Sequence, residues 1–251
     1  MEGGLPDDRA GPFVYGNFIS SLDGRIAVAP PGGELGVPDA IANPRDWRLF
    51  QELALQADVV ISTGRYLREV VEGKAQDLLT VYDDPDLADL AGWRQERGLS
   101  LHPPLAIVSA SLRFPIPETL STGERTVVVL TGSDADPARV VEIEAAGWPV
   151  IAAGTGARVD GRRLVDSLAE LGYRRVFSSA GPQVLHMLAS AGVLDRLFLT
   201  FAGRVLAGKD FSTFAEGSLL DPPSDLTLAT LYWDPYGLDG SGQLFASFDR
   251  T

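Results

Sequence analysis

Four short stretches carry the residue types from which an anion site is built: Ser62-Thr63-Gly64-Arg65, Ser109-Ala110-Ser111, Thr131-Gly132-Ser133 and Ser178-Ser179-Ala180-Gly181-Pro182. Each follows an apolar run that reads as a buried strand. Small residues let backbone amides approach a phosphate, and a helix N-terminus adds partial positive charge. Arg65 has the fork geometry that pairs with a phosphate, and Ser109, Ser111 and Arg113 suit a nucleotide 2′-phosphate. At any one of these ends taken alone, Ser, Thr and Gly are better explained as cap and turn residues. Four such ends on one rim point to a nucleotide cleft, because open α/β sheets bind ligands at the C-terminal ends of their strands. A further stretch, NFISSLDGR (Asn17 to Arg25), offers Asp23. Asp23 is either a turn residue beside Gly24 or a carboxylate that orients a substrate and moves a proton. The second role requires burial to raise its pKa.

Other chemistries find little support. GRVLAGKD (Gly203 to Asp210) nearly matches a phosphate-binding P-loop, but Asp210 stands where a Ser or Thr must hold magnesium. GTGARVDG (Gly154 to Gly161) has Val159 in place of the third glycine of a dinucleotide fingerprint. No G-x-S-x-G elbow occurs. There are no cysteines and only two histidines, His102 and His186, so thiolate chemistry is excluded and a hydrolase built on either histidine is the weakest class. The formal net charge of −13 opposes binding to nucleic acid or an anionic membrane. The acidic start MEGGLPDDRAG lacks an apolar signal core, so the expected location is cytoplasmic.

These stretches need a frame to hold them. Short apolar runs (DVVIST, LAIVSAS, RTVVVLTG, WPVIAAG, RRVFSS, DRLFLTFAG) alternate with amphipathic segments. Asn43 and Pro44 open one helix, and Asp136 and Pro137 open another that Gly147 ends. Strands separated by single helices predict a mainly parallel central sheet with helices on both faces. The tail DLTLATLYWDPYG and GQLFASFDR predicts a C-terminal antiparallel hairpin. The segment from Leu67 to Pro104 shows no clear period. No linker or repeat interrupts the chain, so a single domain over 1–251 is expected, with 1–12 a flexible N-terminal segment.

Read together, SSLDGRIA, ADVVISTGRYL and the long run RRVFSSAGPQVLHMLASAGVLDRLFLTFAGRVLAGKDF resemble the C-terminal reductase domain of the bacterial riboflavin-biosynthesis deaminase–reductase. They look like that family's S-L-D-G-K/R-x-A block, its A-D-A block and its E-G-G-P series, in the same order. The resemblance implies a dihydrofolate-reductase-like α/β fold and NADPH as cofactor. It implies hydride transfer to a pyrimidine or pterin-like substrate, such as a ribosylamino-pyrimidinedione phosphate, and commonly a homodimer. Carried onto this chain, it places Thr63, Gly64 and Arg65 at the cofactor phosphates and Ser109 and Ser111 at the adenosine end. Ser179, Ala180, Gly181, Pro182, Gln183 and Val184 would form the pyrophosphate and nicotinamide loop. Ser21 would lie at the cofactor, Asn17 at the substrate, and Asp23 at the substrate as the catalytic residue. The chain departs from the pattern in three places. Ser179-Ala180 replaces Glu-Gly, and Leu53-Ala54 lacks the arginine expected to hold a substrate phosphate. DDPDL (Asp83 to Leu87) comes later than the family's corresponding block. The alternative function is a nucleotide-binding protein of the same fold without turnover.

Overall fold

The run VVVLT is buried at every residue and LAIV at three of four, the pattern of strands covered on both faces. A computed structural model describes residues 11–75, 77–121 and 125–251; the expected flexible segment 1–12 falls almost wholly outside them. The strands are β1 (Phe13–Ser21), β2 (Ala27–Val28), β3 (Val59–Thr63), β4 (Leu105–Val108), β5 (Val127–Thr131) and β6 (Val150–Ala152). They continue with β7 (Arg175–Ser178), β8 (Arg196–Ala202), β9 (Phe211–Ser212), β10 (Leu226–Asp234) and β11 (Gln243–Arg250). The helices are α1 (Pro44–Leu55), α2 (Gly64–Val71), α3 (Glu118–Ser121), α4 (Pro137–Ala145), α5 (Gly161–Glu170) and α6 (Pro182–Ser190).

The chain forms two compact units. The first is built from the described residues of Gln51–Ser179 with residues 11–13; the second is built from Val14–Phe50 and Ala180–Thr251. In the first unit β7, β3, β4, β5 and β6 lie side by side in that order, all parallel. Their C-terminal ends therefore share one edge. In the second unit the order is β10, β11, β8, β1. There β1 runs parallel to β8, while β11 pairs antiparallel with both β8 and β10. This is the expected α/β architecture, mainly parallel and closed by an antiparallel C-terminal hairpin.

Local chemistry explains the helix ends. The Asn43 side chain accepts hydrogen bonds from the amides of Arg45 and Asp46, and Asp136 accepts from Ala138. Gly147, at φ +85°, takes the left-handed turn that stops α4. Among the described residues no helix is long and apolar enough to cross a membrane.

The illegible segment Leu67 to Pro104 is ordered by one buried charge rather than by a hydrophobic period. After α2 it makes only short 3₁₀ turns at Pro85–Leu90 and Gln95–Arg97. Arg94 is 1% exposed and donates to the carbonyls of Leu55, Ala57 and Ser100. Leu55 ends α1, so Arg94 satisfies a carbonyl that the helix itself cannot. Arg94→Ala would strand those buried acceptors. We expect it to lower unfolding free energy by about 3 kcal/mol in urea titration; a change below about 0.5 kcal/mol would contradict this role.

Candidate functional site

The first unit's strand ends divide into those the fold uses internally and those it does not. A Cβ on Gly132 would run into the Gly156 carbonyl, and one on Gly154 into the Arg158 carbonyl. These glycines, with the Ser133 hydroxyl accepting from Gly156 N at 2.9 Å, serve close backbone packing. Ser179 donates its hydroxyl to the Ile61 carbonyl at 3.0 Å. Arg65, expected at a phosphate, sits on α2 and forms an ion pair with Glu69 at 2.6 Å. By contrast, Thr63 precedes α2 without making a side-chain cap. The Ser109 and Ser111 hydroxyls accept from the amides of Leu112 and Arg113, which leaves their protons to donate. The buried hydroxyls of Ser178 and Thr131 make no hydrogen bond. Also in this unit, His102 packs edge-on against Tyr82, and burial pushes its pKa down.

In the second unit, Ala180 is buried with an ordinary backbone, so its methyl group costs no strain. Gly181 precedes α6 at φ −71°, and Pro182 takes the first helical position. Gln183 and Val184 follow in the first turn, with Val184 buried. His186 is engaged structurally: its Nε2 bonds the Ser218 carbonyl at 2.7 Å, and its ring fills the space beside Gly217.

The Asp23 expectation requires correction. Its carboxylate accepts from Ser21 Oγ at 2.5 Å, Arg25 Nη1 at 2.7 Å, Leu206 N at 3.1 Å and Ala207 N at 2.8 Å. The Ser21 hydroxyl, then the Ala207 amide, hold its pKa far below the usual carboxylate range, against a smaller opposing effect of burial. A group held ionised this firmly does not exchange a proton near neutrality. It ties the β1 turn to the loop after β8, where Ala207 has a positive φ of 57°. Ser21 is consumed in the same knot, because its hydroxyl also accepts from Arg25 N.

Asn17 belongs to a different cluster, two of whose members the sequence did not reveal. The register pairs Asn17 with Phe198, Ile19 with Thr200 and Ser21 with Ala202. Alternation then puts Asn17 and Thr200 on one face, one row apart. Ile41 covers that face, packed with Ala202, Leu238 and Ile19. The start of α1 is fixed there by an amide pair: Asn43 Nδ2 donates to Gln243 Oε1 at 3.0 Å, and Gln243 Nε2 donates to Asp234 Oδ2 at 3.0 Å. Asp46, in the first turn of α1, is thereby brought toward Thr200. Burial pushes the Asp46 carboxyl up to about 6, against a smaller lowering by the Thr200 hydroxyl. A first-turn carboxylate gains about 0.3–1 kcal/mol from the helix dipole, so desolvation wins here. Asp46 Oδ1, Thr200 Oγ1 and Asn17 Oδ1 are all buried; the Thr200 hydroxyl acts on the Asp46 carboxyl, and Asn17 Oδ1 has no hydrogen-bond partner.

The model of the RibD C-terminal domain family matches residues 12–233. The chain belongs to that family. A relative from Methanothermobacter thermautotrophicus, a 2,5-diamino-6-ribosylamino-4(3H)-pyrimidinone 5′-phosphate reductase, is 26% identical over 215 residues, 85% of this chain and 88% of the relative. The fold matches a pyrimidine reductase-like protein from Corynebacterium diphtheriae with a TM-score of 0.69 at 21% identity, covering 96% of this chain and 92% of that one. It also matches Acinetobacter baumannii RibD with a TM-score of 0.64 at 18% identity, covering 96% of this chain and 58% of that longer one. In this RibD C-terminal domain the SSLDGR block is thus a structural knot. Thr200 left a trace in the sequence, as the lone polar residue within the buried run LFLT. Asp46 left none, since an acidic residue in a helix's first turn is ordinary.

A raised carboxyl pKa makes stability fall as pH rises. Between about pH 4 and pH 6 the folded state holds a proton on Asp46 that the unfolded state has lost. Asp46→Asn is therefore expected to be more stable than the parent above pH 6, by up to about 3 kcal/mol. The gain should vanish below about pH 4. Urea titrations across this range check the sign; a variant less stable than the parent at pH 8 would reverse it.

Proposed function

We propose that the protein is a reductase that uses NADPH to reduce the ribose of a ribosylamino-pyrimidine phosphate. The family match over residues 12–233 carries this reading, and the archaeal phosphate reductase supports the substrate class. The residues present suit a dinucleotide. In the first unit, the Thr63 hydroxyl, the Gly64 backbone and the donors of Ser109 and Ser111 are available for phosphates and sugar. In the second unit, Gly181 has an ordinary φ, and a Cβ there would meet nothing within 4 Å. The fold does not itself demand glycine at 181, whereas a close backbone approach to a phosphate does. The bound nicotinamide supplies the hydride. The chain binds, orients the two partners and excludes water. No side chain is placed as a proton donor, and Asp23 is too firmly ionised to be one.

We also propose a homodimer formed through β10. This strand lies at the sheet edge, and Leu228, Leu231, Tyr232 and Trp233 are each at least half exposed. An edge strand with exposed apolar side chains is a pairing surface, and a second copy brings an identical strand.

Saturating NADPH should raise the melting temperature, and absorbance should fall when a ribosylamino-pyrimidine phosphate is added. Gly181→Val should fold normally yet lose at least about tenfold in NADPH affinity, about 1.4 kcal/mol. Stabilisation without turnover across pyrimidine phosphates would favour a binding protein instead, and absence of any NADPH effect would remove both readings. Leu231→Lys should convert a dimer to a monomer by light scattering; a monomeric parent would end the dimer proposal.

A further inference from the structure

The loop that follows β4 in the first unit alternates sharply. Ser111 and Arg113 are exposed, while Leu112 and Phe114 are buried. Leu112 holds a positive φ of 54°, a left-handed conformation unfavourable for any residue that bears a side chain. Such a conformation persists only where its surroundings fix it. Here two arginines do so. Arg139, in the first turn of α4, donates to the Leu112 carbonyl from Nε at 3.2 Å and from Nη2 at 3.0 Å, and to the Phe114 carbonyl from Nη2 at 3.1 Å. Arg68, on α2, donates to the carbonyl between them, that of Arg113, at 2.9 Å. Glu142 pairs with Arg139 from the same helix and orients it. Three successive carbonyls are thus held by two guanidiniums from two helices.

The clamp fixes the backbone under a side chain that the fold itself does not use. Among the described residues, no carboxylate or carbonyl holds the exposed Arg113 guanidinium. Ser109 and Ser111 share its loop, and their hydroxyls keep their protons to donate. Two hydroxyl donors and an unpaired guanidinium at the C-terminal edge of the sheet suit a phosphate group. A flexible arginine serves an anion best when the backbone beneath it is already fixed, since less freedom is then lost on binding. We propose that Arg139 is a positioning residue for cofactor choice. By clamping the Leu112 and Phe114 carbonyls it holds Arg113 where the 2′-phosphate of NADPH meets it, and so sets the preference for NADPH over NADH. Arg139 acts through the loop, because all three of its guanidinium nitrogens are committed to carbonyls and to Glu142. This rests on the NADPH reading and names the residue that enforces it.

The test measures calorimetric binding of NADPH and NADH, which differ only by the 2′-phosphate, to the full chain. The parent should bind NADPH at least about tenfold more tightly, the effect of one charge-assisted contact. Arg139→Met keeps the aliphatic stem and removes the clamp. It should bring the preference to within about threefold while NADH affinity stays within about twofold of the parent. Arg139→Lys keeps the charge but offers a point in place of a fork, so it should lose the preference as well. Arg113→Ala should lose it too, and combining it with Arg139→Met should cost no more than either alone, because both act on one contact. A preference unchanged in Arg139→Met would overturn the assignment. So would equal losses of NADPH and NADH affinity in that variant, which would make Arg139 a residue of the fold alone. A preference kept in Arg139→Lys would overturn it by assigning the effect to charge and not to the clamp. Equal binding of the two dinucleotides by the parent would sink this inference and leave a reductase that takes either cofactor. A preference that Arg139→Met removes, in a protein that oxidises no cofactor with any ribosylamino-pyrimidine phosphate, would sink the reductase reading and leave the clamp standing. Binding of neither dinucleotide would sink both.

Discussion

The amide pair between Asn43 and Gln243, 200 residues apart in sequence, is the contact on which the second unit's chemistry depends. Asn43 caps α1 with its oxygen and reaches β11 with its nitrogen, so one side chain sets both where the helix starts and where it rests. Gln243 is fully buried and passes the constraint to Asp234, at the end of the antiparallel hairpin. Burial opposes ionisation of Asp234, but hydrogen bonds from Gln243 and the Tyr236 amide outweigh it, and its pKa is lowered. A satisfied charge at the far end thus anchors an unsatisfied one at Asp46. Loosening the pair would let α1 lift and Asp46 rehydrate, and the raised pKa would relax with it.

Two kinds of packing share one face of one sheet in the second unit. The apolar cluster around Ile41, Ala202 and Leu238 holds the cover down. The polar residues beyond it are left short of donors, at a stability cost that a close-packed apolar substitute would not carry. The first unit follows a similar division. Gly132, Gly154, Ser133 and Ser179 are spent on packing, while Thr63, Ser109 and Ser111 retain donors at the same edge of the sheet.

The architecture was legible because it rests on repeating local rules. Valine-rich runs made the parallel strands, Asn43 and Asp136 made helix starts, and Gly147 made a helix end. The segment between Leu67 and Pro104 was not legible, because Arg94 organises it through carbonyls distant in sequence. The candidate site was legible only in part. Asn17 stood out through its block, and Thr63, Ser109 and Ser111 through their place behind strands. Ser21 and Ser179 have the right residue types, but the fold commits their hydroxyls elsewhere, while Arg65 pairs with Glu69 on the surface. Asp46 was missed because its importance comes from the tertiary burial of an otherwise ordinary first-turn carboxylate.

Asp23 and Asp46 make the same point from opposite sides. Both are aspartates of the second unit, and a sequence reading ranks Asp23 higher because it sits in a recognisable block. Asp23 receives four hydrogen bonds and its pKa falls far below normal. Asp46 receives almost none and its pKa rises to about 6. A carboxylate supplied with four donors is committed to the loop it ties. A carboxylate short of donors holds its proton to higher pH. Environment, and not residue type, sets which way an aspartate's pKa moves, and here it separates the loop after β1 from the first turn of α1.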